Sequence, residues 1–150
     1  MTDSLTPHSL SLFDTLHPSV KPLFEEFLNC IEGAGYNIQI TSGYRTNQQQ
    51  DELYAQGRTK SGKVITNAKG GQSMHNFGIA IDIVILDASG ECIWNIDLYK
   101  NLWHIAKLSK LDEKGLWWGG LWTSFKEGVH FDASGGKSLK EIIELYGEKK

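Results

Sequence analysis

The sequence predicts an α+β domain in which helices flank a small, mostly antiparallel sheet. Three observations carry this. Ile79, Ile81, Ile83, Val84 and Ile85 make a β-branched run that reads as a central strand. Leu23, Phe24, Phe27, Leu28 and Ile31, and again Leu102, Trp103, Ala106 and Leu108, recur at helical spacing. The chain of 150 residues is long enough for one core and short for a separate binding module, so 1–150 reads as a single domain.

In chain order, residues 1–20, with His8 and His17, are expected to be an N-terminal segment, mobile or packed on the rest. Pro18 and Pro22 bracket a helix start, and Gly33 and Gly35 end that helix. Residues 36–41 alternate, with Tyr36, Ile38 and Ile40 to one side, and form a strand. Ser42-Gly43 breaks it and Arg45 follows the turn. Residues 47–56 read as a polar helix with Leu53 and Tyr54 as its apolar contacts, closed by Gly57. Residues 58–72 hold Gly62, Gly70 and Gly71 with only Val64 and Ile65 to bury, which predicts a long exposed loop of the kind that is often functional. After the central strand, Ala88-Ser89-Gly90 turns the chain and 91–96 is its hairpin partner. A helix over 99–111, a Trp/Gly loop at 115–120, a short strand at 128–132 and a helix over 138–146 complete the chain. No internal repeat or low-complexity segment interrupts it.

Charge narrows the function classes. Lys+Arg 15 against Asp+Glu 18 leaves a net charge of -3 without a basic block, which argues against a nucleic-acid partner. The longest apolar stretch, 79–86, is broken by Asp82 and is too short for membrane insertion. The opening MTDSLTPHSL lacks the basic start and apolar run of a secretory signal, so synthesis in the cytoplasm is expected. Cys30 and Cys92 are too few for a disulfide framework and read as reduced structural thiols.

The chemistry concentrates in two Gly-bounded segments, 73–82 and 127–132. Asp82 stands inside an Ile/Val strand, where desolvation expels a carboxylate unless it is paired, hydrogen-bonded or bound to a metal. His75 precedes it by seven residues, an odd offset that puts the two on opposite faces of one flat strand. Gly78 supplies a bend that folds a loop bearing His75 back over the strand end. A structural His–Asp hydrogen bond and a metal site both fit this pair. His130 adds a third candidate ligand, and a His, Asp, His set suits Zn²⁺. Three protein ligands leave the fourth tetrahedral position to water, whose pKa such a metal lowers to about 7. That chemistry needs a carboxylate to move protons. Glu127, three residues before His130 with Gly128 between them to turn the chain, is the candidate; the alternative is a solvated charge beside Lys126. Asp132 lies on the face of His130 in an extended segment and is placed to accept from its other ring nitrogen. Arg45 carries a planar, permanently charged guanidinium able to support an oxyanion or clamp a carboxylate, or else is a surface arginine after a turn. Trp117, Trp118 and Trp122 line a cleft or fill the core, with one or two of them expected in the core.

Ser73-x-His75-x-x-Gly78-x-Ala80-x-Asp82 together with Glu127-x-x-His130 resembles the zinc-dependent D-alanyl-D-alanine and L-alanyl-D-glutamate peptidases of the hedgehog/DD-peptidase fold. Ser42-Gly43-Tyr44-Arg45-Thr46, Leu53-Tyr54-Ala55-Gln56-Gly57-Arg58, His75-Asn76-Phe77-Gly78 and Trp118-Gly119-Gly120 are similar to the branch holding bacteriophage L-alanyl-D-glutamate endolysins and bacterial relatives. The likeness runs over about residues 20–135. It implies one Zn²⁺ per chain on His75, Asp82 and His130, Glu127 as the catalytic carboxylate, Arg45 binding substrate and steadying charge on the scissile carbonyl, and Ser73 holding a substrate group or a ligand. In the endolysin branch an Asp often stands in place of Glu127, and an acidic residue commonly follows the paired glycines, where this chain has Leu121.

The resemblance implies a monomeric zinc metallopeptidase, an endolysin hydrolysing the L-alanyl-D-glutamate amide of peptidoglycan stem peptides and so lysing the bacterial cell wall. Such an enzyme accumulates in the host cytoplasm and reaches the wall once another protein opens the membrane. A D-alanyl-D-alanine dipeptidase or carboxypeptidase is the alternative within the same chemistry. A non-catalytic zinc-containing cell-wall binding module is the alternative from another class, against which the spare carboxylate of Glu127 speaks. A metal-free protein with satisfied His–Asp pairs is the third.

Overall fold

The β-branched run is the spine of the sheet. In the computed structural model, which describes residues 4–122 and 126–147, the elements run α1 (Pro7–Asp14), α2 (Lys21–Gly33), β1 (Asn37–Ser42), α3 (Asn47–Ala55), β2 (Ala80–Leu86), β3 (Cys92–Ile93), α4 (Ile96–Leu108), β4 (Trp117–Trp118), β5 (His130–Asp132) and α5 (Leu139–Tyr146). The strands lie in the order β1-β2-β5-β4, every pairing is antiparallel, and β3 pairs the far end of β2. This is the expected α+β arrangement.

Strand periodicity divides the molecule into a packing side and a chemical side. Ile81, Ile83 and Ile85 of β2 enter the core with Phe131 of β5. Phe24, Phe27, Leu28 and Ile31 of α2 and Tyr99, Leu102, Trp103 and Ala106 of α4 close over them, with the Phe27 and Phe131 rings 4.7 Å apart. The intervening residues point the other way. β2 and β5 are in register as Ala80↔Asp132, Ile81↔Phe131 and Asp82↔His130, so Asp82, His130 and Asp132 share the opposite face. A register shift in β1 between Ile40 and Ser42 brings Ser42 level with Asp82, a bulge of the sort that re-aims side chains beside functional sites.

Several boundaries differ from the sequence reading, each for a local reason. Residues 7–14, assigned no element there, form α1. Thr6 caps it, and Ser9 Oγ accepts from the Ile40 N–H at 3.0 Å and donates to Gln39 Oε1 at 2.6 Å, so α1 is stitched to the edge strand. Helix α4 starts at Ile96 rather than 99 because the Asn95 carboxamide caps it, accepting from the Asp97 N–H at 3.0 Å. The hairpin partner of β2 shrinks to Cys92–Ile93, where the Tyr99 hydroxyl accepts from the Ile85 N–H at 3.1 Å and donates to the Ile93 carbonyl at 2.7 Å. The Trp/Gly loop contains β4, paired to β5.

The bend expected at Gly78 is present. Gly78 has φ +71 and closes a 3-10 turn, Met74–Phe77, that carries His75. Its carbonyl accepts from the His17 N–H at 2.8 Å, and a Cβ there would stand 3.0 Å from the His17 nitrogen. Gly78→Ala combines a left-handed backbone with this contact and should lower stability by about 1–2 kcal/mol. Urea unfolding checks it; an unchanged midpoint would contradict the strained geometry.

Candidate active site

His75, Asp82 and His130 converge on one point. His75 Nε2 lies 3.2 Å from Asp82 Oδ1, His130 Nδ1 lies 3.2 Å from His75 Nε2, and His130 Nδ1 lies 3.5 Å from Asp82 Oδ1. These are donor atoms of a potential metal site. Ligands at about 2.0–2.1 Å from a tetrahedral Zn²⁺ stand about 3.3–3.4 Å from one another, so the triangle has the size such an ion requires.

The outer partners of the imidazoles say which nitrogens face that point. His75 Nδ1 lies 2.8 Å from the Gly43 carbonyl and donates to it, which leaves the Nε2 lone pair inward. His130 Nε2 lies 2.8 Å from Asp132 Oδ2 and donates to it, which leaves Nδ1 inward. Asp132 is buried, and its second oxygen accepts from the Ser134 N–H at 2.9 Å, so it is held as rigidly as the ring it orients. The free oxygen of Asp82, Oδ2, accepts from Arg45 Nη2 at 3.0 Å.

Electrostatics follow from this crowding. Burial drives the His75 pKa down, against the raising influence of Asp82, so the ring is neutral at neutral pH. Burial also opposes charge on Asp82 and on His130, but their partners win. The histidine charges and hydrogen bonds hold the Asp82 carboxyl well below the ordinary range. Hydrogen bonds to Asp132 and Asp82 push His130 up to about 10. Without a cation, one proton on His130 is left to screen two inward-facing ring nitrogens and a carboxylate. A divalent ion held by His75, Asp82 and His130 would replace that proton and satisfy all three groups. Glu127 is different: burial raises its pKa, while Arg45 and His130 lower it only partly. Its Oε2 is 3.8 Å from His130 Nδ1, at the edge of the donor triangle, and a carboxyl raised toward neutrality suits proton transfer.

The chain brings these groups together through two local devices. Gly119 approaches the Glu127–His130 turn so closely that a Cβ there would stand 2.6 Å from the Glu127 carbonyl oxygen and 2.9 Å from His130 Cβ. The turn is closed by the His130 N–H donating to the Glu127 carbonyl at 3.3 Å. The need for glycine therefore falls at Gly119 in the Trp-Gly-Gly segment, whereas Gly128, expected to make the turn, is absent from the positive-φ glycines. Asn76 fastens the His75 turn: its Oδ1 accepts from the Ser73 and Gly71 N–H groups at 3.1 and 3.0 Å, and its Nδ2 donates to the Arg45 carbonyl at 3.0 Å.

A cleft opens on this cluster in two lobes, about 450 and 430 Å³, that share Arg45, Thr66 and Glu127. One lobe continues past Asp82 to Ile65, Trp94 and Val129. The other continues past His75 and His130 to Gln72, Ser73 and Trp122. Ser73 thus faces the cleft while its hydroxyl accepts from the His75 N–H at 3.2 Å. Of the three tryptophans expected at core or cleft, Trp118 is buried and donates to the Gly128 carbonyl at 2.7 Å. Trp117 packs edge-on to Trp103, and Trp122 lies 4.7 Å from the His130 ring in the cleft.

Four contributors to the site carry no local signal in the sequence. The Gly43 carbonyl is backbone and leaves no mark in residue identity. Ser42 and Gln50 accept from Arg45 Nε and Nη1 at 3.1 Å each. Asn76 lies inside the His75-Asn76-Phe77-Gly78 motif, and nothing in that motif marks its side chain as structural.

The family model described as "VanY: D-alanyl-D-alanine carboxypeptidase" matches residues 14–133. The chain is 37% identical over 123 residues to the peptidoglycan L-alanyl-D-glutamate endopeptidase CwlK of Bacillus subtilis, covering 78% of this chain and 72% of that protein. Among solved structures it is similar to the L-Ala D-Glu endopeptidase ChiX of Serratia marcescens, at 19% identity and TM-score 0.65 over 95% of this chain and 92% of that one. It is also similar in fold to a mutant of the vancomycin resistance D,D-pentapeptidase VanY in complex with Zn(II), at 17% identity and TM-score 0.54 over 86% and 78% of the two chains.

The charge state of His130 would make metal uptake a proton-coupled event. A ring with its pKa raised to about 10 is protonated at neutral pH, so ligation by Nδ1 would expel that proton. Zn²⁺ affinity should therefore rise by up to about tenfold per pH unit toward pH 10. Calorimetry in buffers of different ionisation enthalpy should count one proton released near pH 7. Uptake without proton release would contradict the assignment of His130 as a ligand.

Proposed function

The chain belongs to the VanY family of D-alanyl-D-alanine carboxypeptidases, and from that membership we propose a zinc-dependent peptidoglycan peptidase that cuts the L-alanyl-D-glutamate amide of stem peptides. The observation that carries the chemistry is the convergence of His75 Nε2, Asp82 Oδ1 and His130 Nδ1 within 3.5 Å of one another, with Glu127 3.8 Å from the last. The choice of bond is supported by the 37% identity to CwlK.

In this reading His75, Asp82 and His130 hold one Zn²⁺, which when bound supplies Lewis acidity to a carbonyl oxygen and acidity to a water. The chain's own groups do the rest. Glu127, with its pKa raised by burial, takes a proton from the attacking water and returns it to the leaving amine. Arg45 uses three of its donors on Ser42, Gln50 and Asp82, and the others remain for the developing oxyanion in the cleft they face. Asp132 and the Gly43 carbonyl keep the two imidazoles in the ligating tautomer. Ser73 is placed to hold a substrate polar group in the second lobe.

Cleavage of D-alanyl-D-alanine is the second reading, favoured by the description of the family model. Digestion of purified muropeptides separates the two by mass spectrometry. The proposal expects a fragment ending in L-Ala and a peptide beginning at D-Glu, formed with zinc and abolished by a chelator. Release of D-Ala with the L-Ala–D-Glu bond intact would select the second reading. Glu127→Ala should keep stoichiometric zinc and the fold while losing about a hundredfold or more in kcat. Full activity in that variant would remove Glu127 from the mechanism.

A further inference from the structure

Helix α3 is polar along its length, yet one of its glutamines is sealed in the interior. Gln50 has 0% exposure. A buried carboxamide is retained only where its donors and acceptor are met, and here each is met by something that lines the cleft. Oε1 accepts from Arg45 Nη1 at 3.1 Å. Nε2 donates to the Ala68 carbonyl at 2.9 Å and reaches Thr66 Oγ1 at 3.5 Å. The orientation of the amide is forced: a guanidinium only donates, so the oxygen faces Arg45, and the nitrogen then meets the two acceptors.

Thr66–Ala68 is the stretch of the long loop that walls the cleft: Thr66 lines both lobes, and Asn67 and Ala68 line the second. Gln50 grips this strap from inside. Arg58 grips it from outside, with Nη1 donating to the Thr66 carbonyl at 3.0 Å and Nη2 to Asn67 Oδ1 at 3.2 Å, while its guanidinium lies 3.7 Å over the Tyr54 ring. The two clasps are not equivalent. Among the described residues Arg58 hydrogen-bonds to the strap and to the Tyr54 carbonyl of α3, whereas Gln50 joins the strap to the guanidinium that holds Asp82 Oδ2 at 3.0 Å.

We propose that Gln50 is a positioning residue that locks Arg45 and the cleft strap to each other, so that the oxyanion-facing donors and the substrate wall are set as one unit. The inference rests on the peptidase reading for its kinetic consequence but not for the joint itself. A misaimed charged donor in a catalytic cleft costs rate, while a loosened wall costs binding.

The test compares Gln50→Met, Gln50→Glu and Arg58→Met in the zinc-loaded full chain with a muropeptide substrate. Gln50→Met fills the volume without a polar group and should lower kcat about tenfold or more while raising KM, with zinc content and melting temperature held near those of the parent. Gln50→Glu keeps an acceptor for Arg45 but sets a carboxylate against the Ala68 carbonyl, so it should recover kcat and retain the raised KM. Arg58→Met should raise KM alone. Equal profiles for Gln50→Met and Arg58→Met, or losses that track zinc content and melting temperature, would overturn the proposal. The Arg45 Nη1–H resonance, the donor that Gln50 Oε1 accepts from, is read by NMR on the same samples. It should be protected from exchange in the parent and in Gln50→Glu and lost in Gln50→Met. Failure of the parent to cleave any muropeptide would sink the peptidase reading while this resonance still decides the joint.

Discussion

One registration of two strands organises the molecule. Pairing Asp82 with His130 places Ile81 opposite Phe131 at the same time, so a single alignment seats the hydrophobic core and assembles two of the three side chains of the candidate metal site. A slip by one residue would send the carboxylate and imidazole into the helical core and expose the isoleucines. Folding stability and site geometry are therefore enforced by the same contacts. The third member, His75, reaches the point from outside the sheet, on a turn that Gly78 ends and Asn76 ties to Arg45.

The chemical face has to keep two imidazoles and a carboxylate close together out of water. It does so by giving each a fixed outer partner: Gly43 for His75, Asp132 for His130, Arg45 for Asp82. The inner atoms share few protons, an electrostatic condition that a divalent cation would relieve. Glu127 stands at the edge of this network, half-buried, with its Oε2 3.8 Å from His130 Nδ1 and its pKa raised by burial, as a proton carrier would require. A structural metal site has no use for such a group.

Much of this was legible in the sequence because it violated local rules. A carboxylate in an Ile/Val run announces an unseen partner, and His130 and Asp132, two residues apart on one strand, announce a shared face. The quoted motifs pointed to the same residues as the resemblance. What escaped was carried by groups whose identity says nothing locally. Gln50 sits in a stretch so polar that its periodicity points to solvent, and only the fold shows it sealed. The Gly43 carbonyl exists in every peptide unit. Helix α1 has a weak apolar pattern, and its anchor is a serine bonded to the backbone of a strand about thirty residues away. In the sequence Arg45 reads as an oxyanion support, a carboxylate clamp or a surface arginine, and the structure adds that its guanidinium donates to the Asp82 carboxylate 37 residues along the chain.

The account stands on a cation being held by three particular atoms. X-ray absorption at the zinc edge of the chain loaded with one equivalent of Zn²⁺ tests this most directly. The account predicts a four-coordinate nitrogen/oxygen shell near about 2.0–2.1 Å with the scattering signature of two imidazoles. A shell with one imidazole or none, or one that His130→Ala leaves unchanged, would contradict it.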